Sequence, residues 1–151
     1  MENETLPEGA VRRPPFSPVV SLLTVSGIWD AQLAAALKRV GLTTRKYALL
    51  AHIRARPGIS FSELARRSQI TVQTAHTAVR SLVVDGFAHD GTAHAGAASD
   101  LTITPAGERA LDEADAQLAR LDAVLSEGLP QLADALRGLH EEPFGENLQE
   151  H

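Results

Sequence analysis

The stretch SFSELARRSQITVQTAHTAVRSLVVDG, residues 60–86, fits two helix starts, a turn and a helix stop into 27 positions. Ser60 and Glu63 have the spacing of a reciprocal cap, in which the hydroxyl takes the N–H three residues on and the carboxylate reaches back. SQIT, residues 68–71, makes the turn, Thr71 caps a second helix running to about Asp85, and Gly86 stops it. At 100° per residue this second helix collects Ala75, Ala78, Val79 and Leu82 on one side. Gln73, Thr77 and Arg80 fall on the other, flanked by Thr74 and His76. Two short helices, the first carrying the small Ala65, are thereby set to cross closely as a helix-turn-helix.

An exposed helical face of Gln, Thr and Arg without an acid has the donors and acceptors that read base edges in a major groove. Charge along the chain agrees with that use. The whole chain is at −5, but residues 43–82 hold seven bases against Glu63 alone, a net +6, whereas residues 105–151 stand at −8. Gln73, Thr74, His76, Thr77 and Arg80 are therefore the candidate base-reading set, with Arg66 and Arg67 on the preceding helix as candidate phosphate contacts.

The flanking segments extend the motif. Residues 1–16 form a Pro-rich arm expected to be flexible, and Ser17-Pro18 starts a long helix, residues 17–41, whose stripe includes Leu22, Val25, Trp29, Leu33, Ala36 and Val40. Thr43 caps a second helix with Tyr47, Leu50 and Ile53, ended by ARPGI. After Gly86, residues 86–104 alternate as a hairpin, with Leu101 and Ile103 expected inward and Thr102 and Thr104 outward. Its tip is rich in Gly, Ala and Ser and holds neither Lys nor Arg. Thr104-Pro105 then starts a helix whose Leu111, Ala114, Leu118, Leu121 and Leu125 form a seam of the coiled-coil kind. Its acids read as a solvated face over that seam; Gly128 and Pro130 interrupt it before a last helix with Leu132, Leu136 and Leu139. An acidic tail, residues 141–151, follows.

This order, with LTTRKYALLAHI, SELARRSQIT, LVVDGF and LTITPAG as its most specific parts, resembles the MarR family of winged-helix regulators over roughly residues 20–140. The fold class expected is mainly α with a small β-hairpin wing. A winged helix-turn-helix lobe, residues 42–104, would lie between dimerisation helices at 17–41 and 105–140. The resemblance implies a homodimer on a palindromic duplex, a cytoplasmic repressor released by a small aromatic or amphipathic anionic effector. Leu22, Leu111, Leu118, Leu121, Leu125, Leu132 and Leu136 are the expected dimer contacts, and Trp29, Arg45, Tyr47 and His52 the expected effector contacts. Three departures stand out: Gln69 where the family has Gly in the turn, an outward Val84 on the reading helix, and a wing that lacks the usual Arg and offers only His89, Asp90, His94 and Asp100, of which His94 is the candidate DNA contact. An alternative reading is a winged-helix interaction module that no longer binds specific DNA, for which the uncharged wing speaks.

Other chemistries find little support. Absence of Cys excludes disulfides and thiolate sites. His52, His76, His89 and His94 lack ligand spacing, so no metal or cofactor is expected. No nucleophile triad or paired carboxylate has a supporting context, so an enzyme is not expected. No run of eighteen apolar residues occurs, and no membrane partner is expected.

Overall fold

The structure, a computed structural model, describes residues 13–91 and 100–141. Among these described residues six helices and one hairpin follow in the order α1 (Pro18–Lys38), α2 (Thr44–Ala55), α3 (Phe61–Arg67), α4 (Val72–Val84), β1 (Ala88–Asp90), β2 (Leu101–Ile103), α5 (Pro105–Gly128) and α6 (Pro130–Glu141). The expected N-terminal arm, the wing tip with His94 and the acidic tail lie outside the described residues.

Hydroxyl caps punctuate this order. Thr43, Ser60, Thr71 and Thr104 accept from the N–H three residues on at 3.0–3.2 Å, and Ser17 does so from Val20 at 3.3 Å. Such a cap is worth about 1 kcal/mol, and Pro at the first position of α1 and α5 loses no bond. The turn after α3 closes through Ile70 N–H to the Ala65 carbonyl at 3.0 Å, with Gln69 at φ 53°. Gln69 therefore adopts the left-handed conformation, at about 1 kcal/mol relative to Gly.

The described residues divide into two compact units between Ala31 and Gln32, so the break falls inside α1. In the first unit, Val19, Val20, Leu22, Leu23 and Ile28 are exposed. By length and composition α1 also meets the measure of a membrane span, with mean hydropathy 1.4 over eighteen residues, although Gly27 and Asp30 interrupt it. In the second unit the core gathers Leu37, Leu49, Leu50, Ile53, Leu64, Val79, Leu82, Leu101 and Leu111. Among the described residues no charged side chain is buried with them.

Leu111 corrects an expectation. It is fully buried in this core, as is Ala114, so the first turns of α5 spend their seam positions packing with α2 inside one chain. Farther along, Leu118, Leu121, Leu125 and Leu132 are half-buried and Leu136 is exposed, so these positions remain open to a partner.

The hairpin is antiparallel, pairing Ala88 with Ile103 and Asp90 with Leu101. Ala88 and Leu101 are buried as expected of an inward face. Thr104 is not simply outward: its hydroxyl donates to the Gly86 carbonyl at 2.6 Å while accepting from Gly107. Gly107 itself explains the LTITPAG motif, because a Cβ there would run into the Phe87 carbonyl oxygen. The Gly58 N–H donates to the Leu101 carbonyl at 2.8 Å, which ties the loop before α3 to the wing strand.

Candidate nucleic-acid interface

Helix α4 is oriented by its apolar side. Ala75, Val79 and Leu82 are fully buried, which turns Gln73, His76, Thr77 and Arg80 outward, as the angular spacing predicts. Val84 is 81% exposed at the end of the helix, also as expected. The Thr77 hydroxyl donates to the Gln73 carbonyl at 3.1 Å, leaving its lone pairs facing solvent. Thr74 is half-buried and its hydroxyl lies 2.8 Å from that of Thr71, so it serves the helix start as much as the outer face. His76 stacks on Phe61 with ring centroids 3.7 Å apart, which pins the imidazole toward α3.

Arg45, expected among the effector contacts, lies beside the outer face of α4. It lines an open groove of about 280 Å³ with Gln73, Thr74, Thr77, Ala78 and Ser81. Among the described residues neither Arg45 nor Arg80 has an ion-pair partner, so both guanidinium groups are available beside the outer face. Neighbouring Lys46 is engaged by Asp85 at the end of α4.

The two arginines expected to hold phosphates are differently placed. Arg66 forks onto Glu63 through Nε at 2.9 Å and Nη2 at 2.7 Å, and Arg67 Nε donates to the same carboxylate at 2.7 Å. Arg56 approaches it at 3.8 Å. Glu63 thus supplies its backbone N–H to the Ser60 cap, while its carboxylate serves these cations rather than the reciprocal half of the box. Hydrogen bonds from Arg66 and then Arg67 hold the Glu63 carboxyl down at about 2.

Of the remaining expected effector contacts, Trp29 is half-buried on α1, and Tyr47 and His52 are half-buried on α2. Tyr47 faces α5, where its hydroxyl donates to Asp115 Oδ1 at 2.9 Å. Burial first, and then this bond, pushes the phenol up to about 12. Arg54, seven positions after Tyr47 and on the same helical face, donates to Asp115 at 2.7 Å and Asp112 at 3.1 Å, with Glu108 at 3.9 Å. These acids of α5 are therefore not a merely solvated face. The helical spacing of Tyr47 and Arg54 was a usable signal; their α5 partners, more than fifty residues away, were not.

Among the described residues no His, Asp or Glu group could hold a metal.

Comparison with known proteins bears on this arrangement. Residues 40–93 match the model of the MarR family. The HTH-type transcriptional repressor Rv2887 of Mycobacterium tuberculosis is 30% identical over 103 residues, 68% of this chain and 74% of the relative. The crystal structure of Rv2887 in complex with DNA is similar at a TM-score of 0.68 and 26% identity, covering 84% of this chain and 98% of that one. Its complex with p-aminosalicylic acid is similar at a TM-score of 0.64 and 26% identity, covering 83% and 98%. With the winged helix-turn-helix built as described, and with this identity over most of a repressor's length, the chain belongs to the MarR family of transcriptional regulators.

Proposed function

We propose that the chain is a cytoplasmic, dimeric repressor that binds a palindromic operator through α4 and leaves it when a small aromatic anion binds. It is not an enzyme on this reading. The observation that carries it is the outer face of α4, where Gln73, Thr77 and Arg80 stand exposed and Arg45 adds an unpaired guanidinium from α2. Polar donors and acceptors on one exposed helical face, with cations beside them and no acid among the α4 residues of that face, suit a duplex. The DNA complex of Rv2887 supports the same use of this fold.

Two further features support the assembly and the effector. Val19, Leu22, Leu23 and Ile28 on α1, and Val124, Leu136 and Leu139 on α5 and α6, are exposed apolar side chains that a second copy would cover. The complexes of Rv2887 with p-aminosalicylic acid and salicylic acid support an aromatic carboxylate as effector class. Tyr47 and His52 stay the candidate contacts on α2, while the position of Arg45 beside Gln73 favours a role at the duplex.

The test is a titration of the purified protein against a duplex selected from random sequence, and against an unselected one, over a range of salt. Gln73→Ala is expected to lower the preference for the selected duplex by about 10-fold, the worth of one good base contact. Arg45→Ala is expected to weaken both duplexes and flatten the salt slope by about one phosphate contact. A wild-type protein with no salt-dependent duplex binding would overturn the reading in favour of a protein-interaction module. Salicylate that leaves the bound duplex untouched would overturn the effector class.

A further inference from the structure

Arg66 and Arg67 look outward from α3 with side chains 71% and 41% exposed, and the carboxylate they share lies beneath them at 26%. The edge of Arg66 formed by Nε and Nη2, the one suited to a two-oxygen anion, is filled by Glu63 on both nitrogens. Arg67 has given up its Nε to the same group, and Arg56 is drawn toward it from the end of α2. Three guanidinium groups and one carboxylate leave a net +2 where three free arginines would present +3.

We propose that Glu63 is an internal anion that competes with DNA phosphate for Arg66 and Arg67, so that it weakens sequence-independent binding and leaves discrimination to α4. This rests on the duplex-binding reading above. A phosphate approaching α3 meets the outer edges of the two guanidinium groups with a negative charge directly behind them. It must either share them or pull them off the carboxylate. Both routes reduce what α3 adds to every duplex alike, whereas Gln73 and Thr77, exposed on α4 and not among the partners of Glu63, keep their full effect on the right sequence. The carboxyl is held so far below the ordinary carboxylate range that it stays charged at any neutral pH, so the attenuation is permanent rather than switched.

The variant Glu63→Gln removes the charge and keeps the fold of the turn, because the Ser60 cap uses the backbone N–H of residue 63. Affinity of the full chain for an unselected duplex at low salt is expected to rise about 5- to 10-fold, with the salt slope steeper by about one phosphate contact. Affinity for the selected duplex is expected to rise by the same factor, so that the ratio of selected to unselected affinity stays unchanged. Asp134→Asn changes net charge equally from an exposed pair with Arg137 on α6 and is expected to alter binding less than twofold. In the triple variant Glu63→Gln, Arg66→Ala, Arg67→Ala the gain should vanish. Retention on a sulfated polysaccharide column reads the same freed guanidinium groups without DNA, and Glu63→Gln should elute at higher salt than wild type. If wild type binds duplex but Glu63→Gln binds it equally or more weakly, Glu63 positions the arginines and the proposal falls. If wild type binds no duplex while the variant still gains retention, the duplex-binding reading fails and the proposal falls with it, although the competition itself is real. A gain matched by Asp134→Asn would reduce the effect to net charge and overturn the proposal as well.

Discussion

Two charge clusters in this molecule are near mirror images: Arg54 faces the three acids Glu108, Asp112 and Asp115, and Glu63 faces the three arginines Arg56, Arg66 and Arg67. They differ in what they join. Arg54 and its partners stand more than fifty positions apart and stitch α2 to α5 over the packed core, with Tyr47 hydrogen-bonded into the same carboxylate. Glu63 reaches Arg66 and Arg67 three and four positions on, within one seven-residue helix and at its solvent side, and Arg56 approaches at 3.8 Å from the end of α2, seven positions before it. A long-range cluster can exist only in the folded lobe and so contributes to its stability, whereas a local one forms whenever α3 is helical and is worth little to folding. The same chemistry is architecture in one place and surface tuning in the other.

The largest expected effect separates packing from charge where α2 meets α5. Leu111 is fully buried there, and Leu111→Ala should cost about 2–5 kcal/mol, lowering the melting temperature by roughly 10 °C. Because Leu111 belongs to the core of a single chain, the loss should be the same at low and high protein concentration. A loss that disappears on concentrating the protein would return Leu111 to the dimer seam. Next in size, Arg54→Ala leaves three acids of α5 without their cation and should cost about 1 kcal/mol, roughly 3 °C, measured at low salt. Glu63→Gln should shift the melting temperature by no more than about 1 °C, as expected of an exposed local cluster. Equal losses from Arg54→Ala and Glu63→Gln would break the contrast between the clusters.

What the sequence discloses follows the same division between local and distant. Ser17, Thr43, Ser60, Thr71 and Thr104 are readable as caps because each acts on an N–H three residues away. The outer and inner faces of α4 are readable because helical rotation alone decides them once one side is apolar. Leu111 reads as a dimer contact yet is buried within one chain, because a stripe at three- and four-residue steps looks alike whether it packs within a chain or between chains. The role of Arg54 is not legible in the sequence, because nothing near it in sequence is acidic and its partners are set by how α5 lies on α2. Glu63 was readable as half of a capping box, but two arginines close behind it offered stronger partners than a lone backbone N–H. Gln69 posed a visible dilemma, and the turn resolved it by holding Gln in a left-handed conformation with a backbone bond on either side.

Titration sharpens the comparison at finer scale. Glu63 is held at about 2 against an ordinary 4.5, so its favourable contribution is complete above about pH 4.5 and drains away as pH falls toward 2. Carbon-detected NMR of the Glu63 carboxyl should find that low midpoint and, in Arg66→Ala, a midpoint moved back toward 4.5, since Arg66 is the larger of the two causes. An unchanged midpoint in Arg66→Ala would show that the fork is not what lowers it.

At the other cluster the smallest and most specific effect belongs to Tyr47, which is the single tyrosine of the chain and so can be followed without ambiguity by its ultraviolet absorbance. Burial and the bond to Asp115 favour the neutral phenol, which donates its proton to the carboxylate, over a phenolate set beside it; Arg54 pulls the other way. The folded value is thus raised from 10.0 to about 12, so the stability this bond contributes is fully present below pH 10 and is lost as pH rises through 10 toward 12. An alkaline titration of the folded protein should show ionisation near 12, and Asp115→Asn should bring it down because the accepting charge is gone, though not fully to 10, since burial remains the larger cause. Arg54→Ala should raise it further, because the cation that favours phenolate is then missing while Asp115 stays. If Arg54→Ala lowered the midpoint instead, the tyrosine would owe its bond to Arg54 holding Asp115 in place. The long-range cluster would then act by geometry, with its charges serving only to set that geometry.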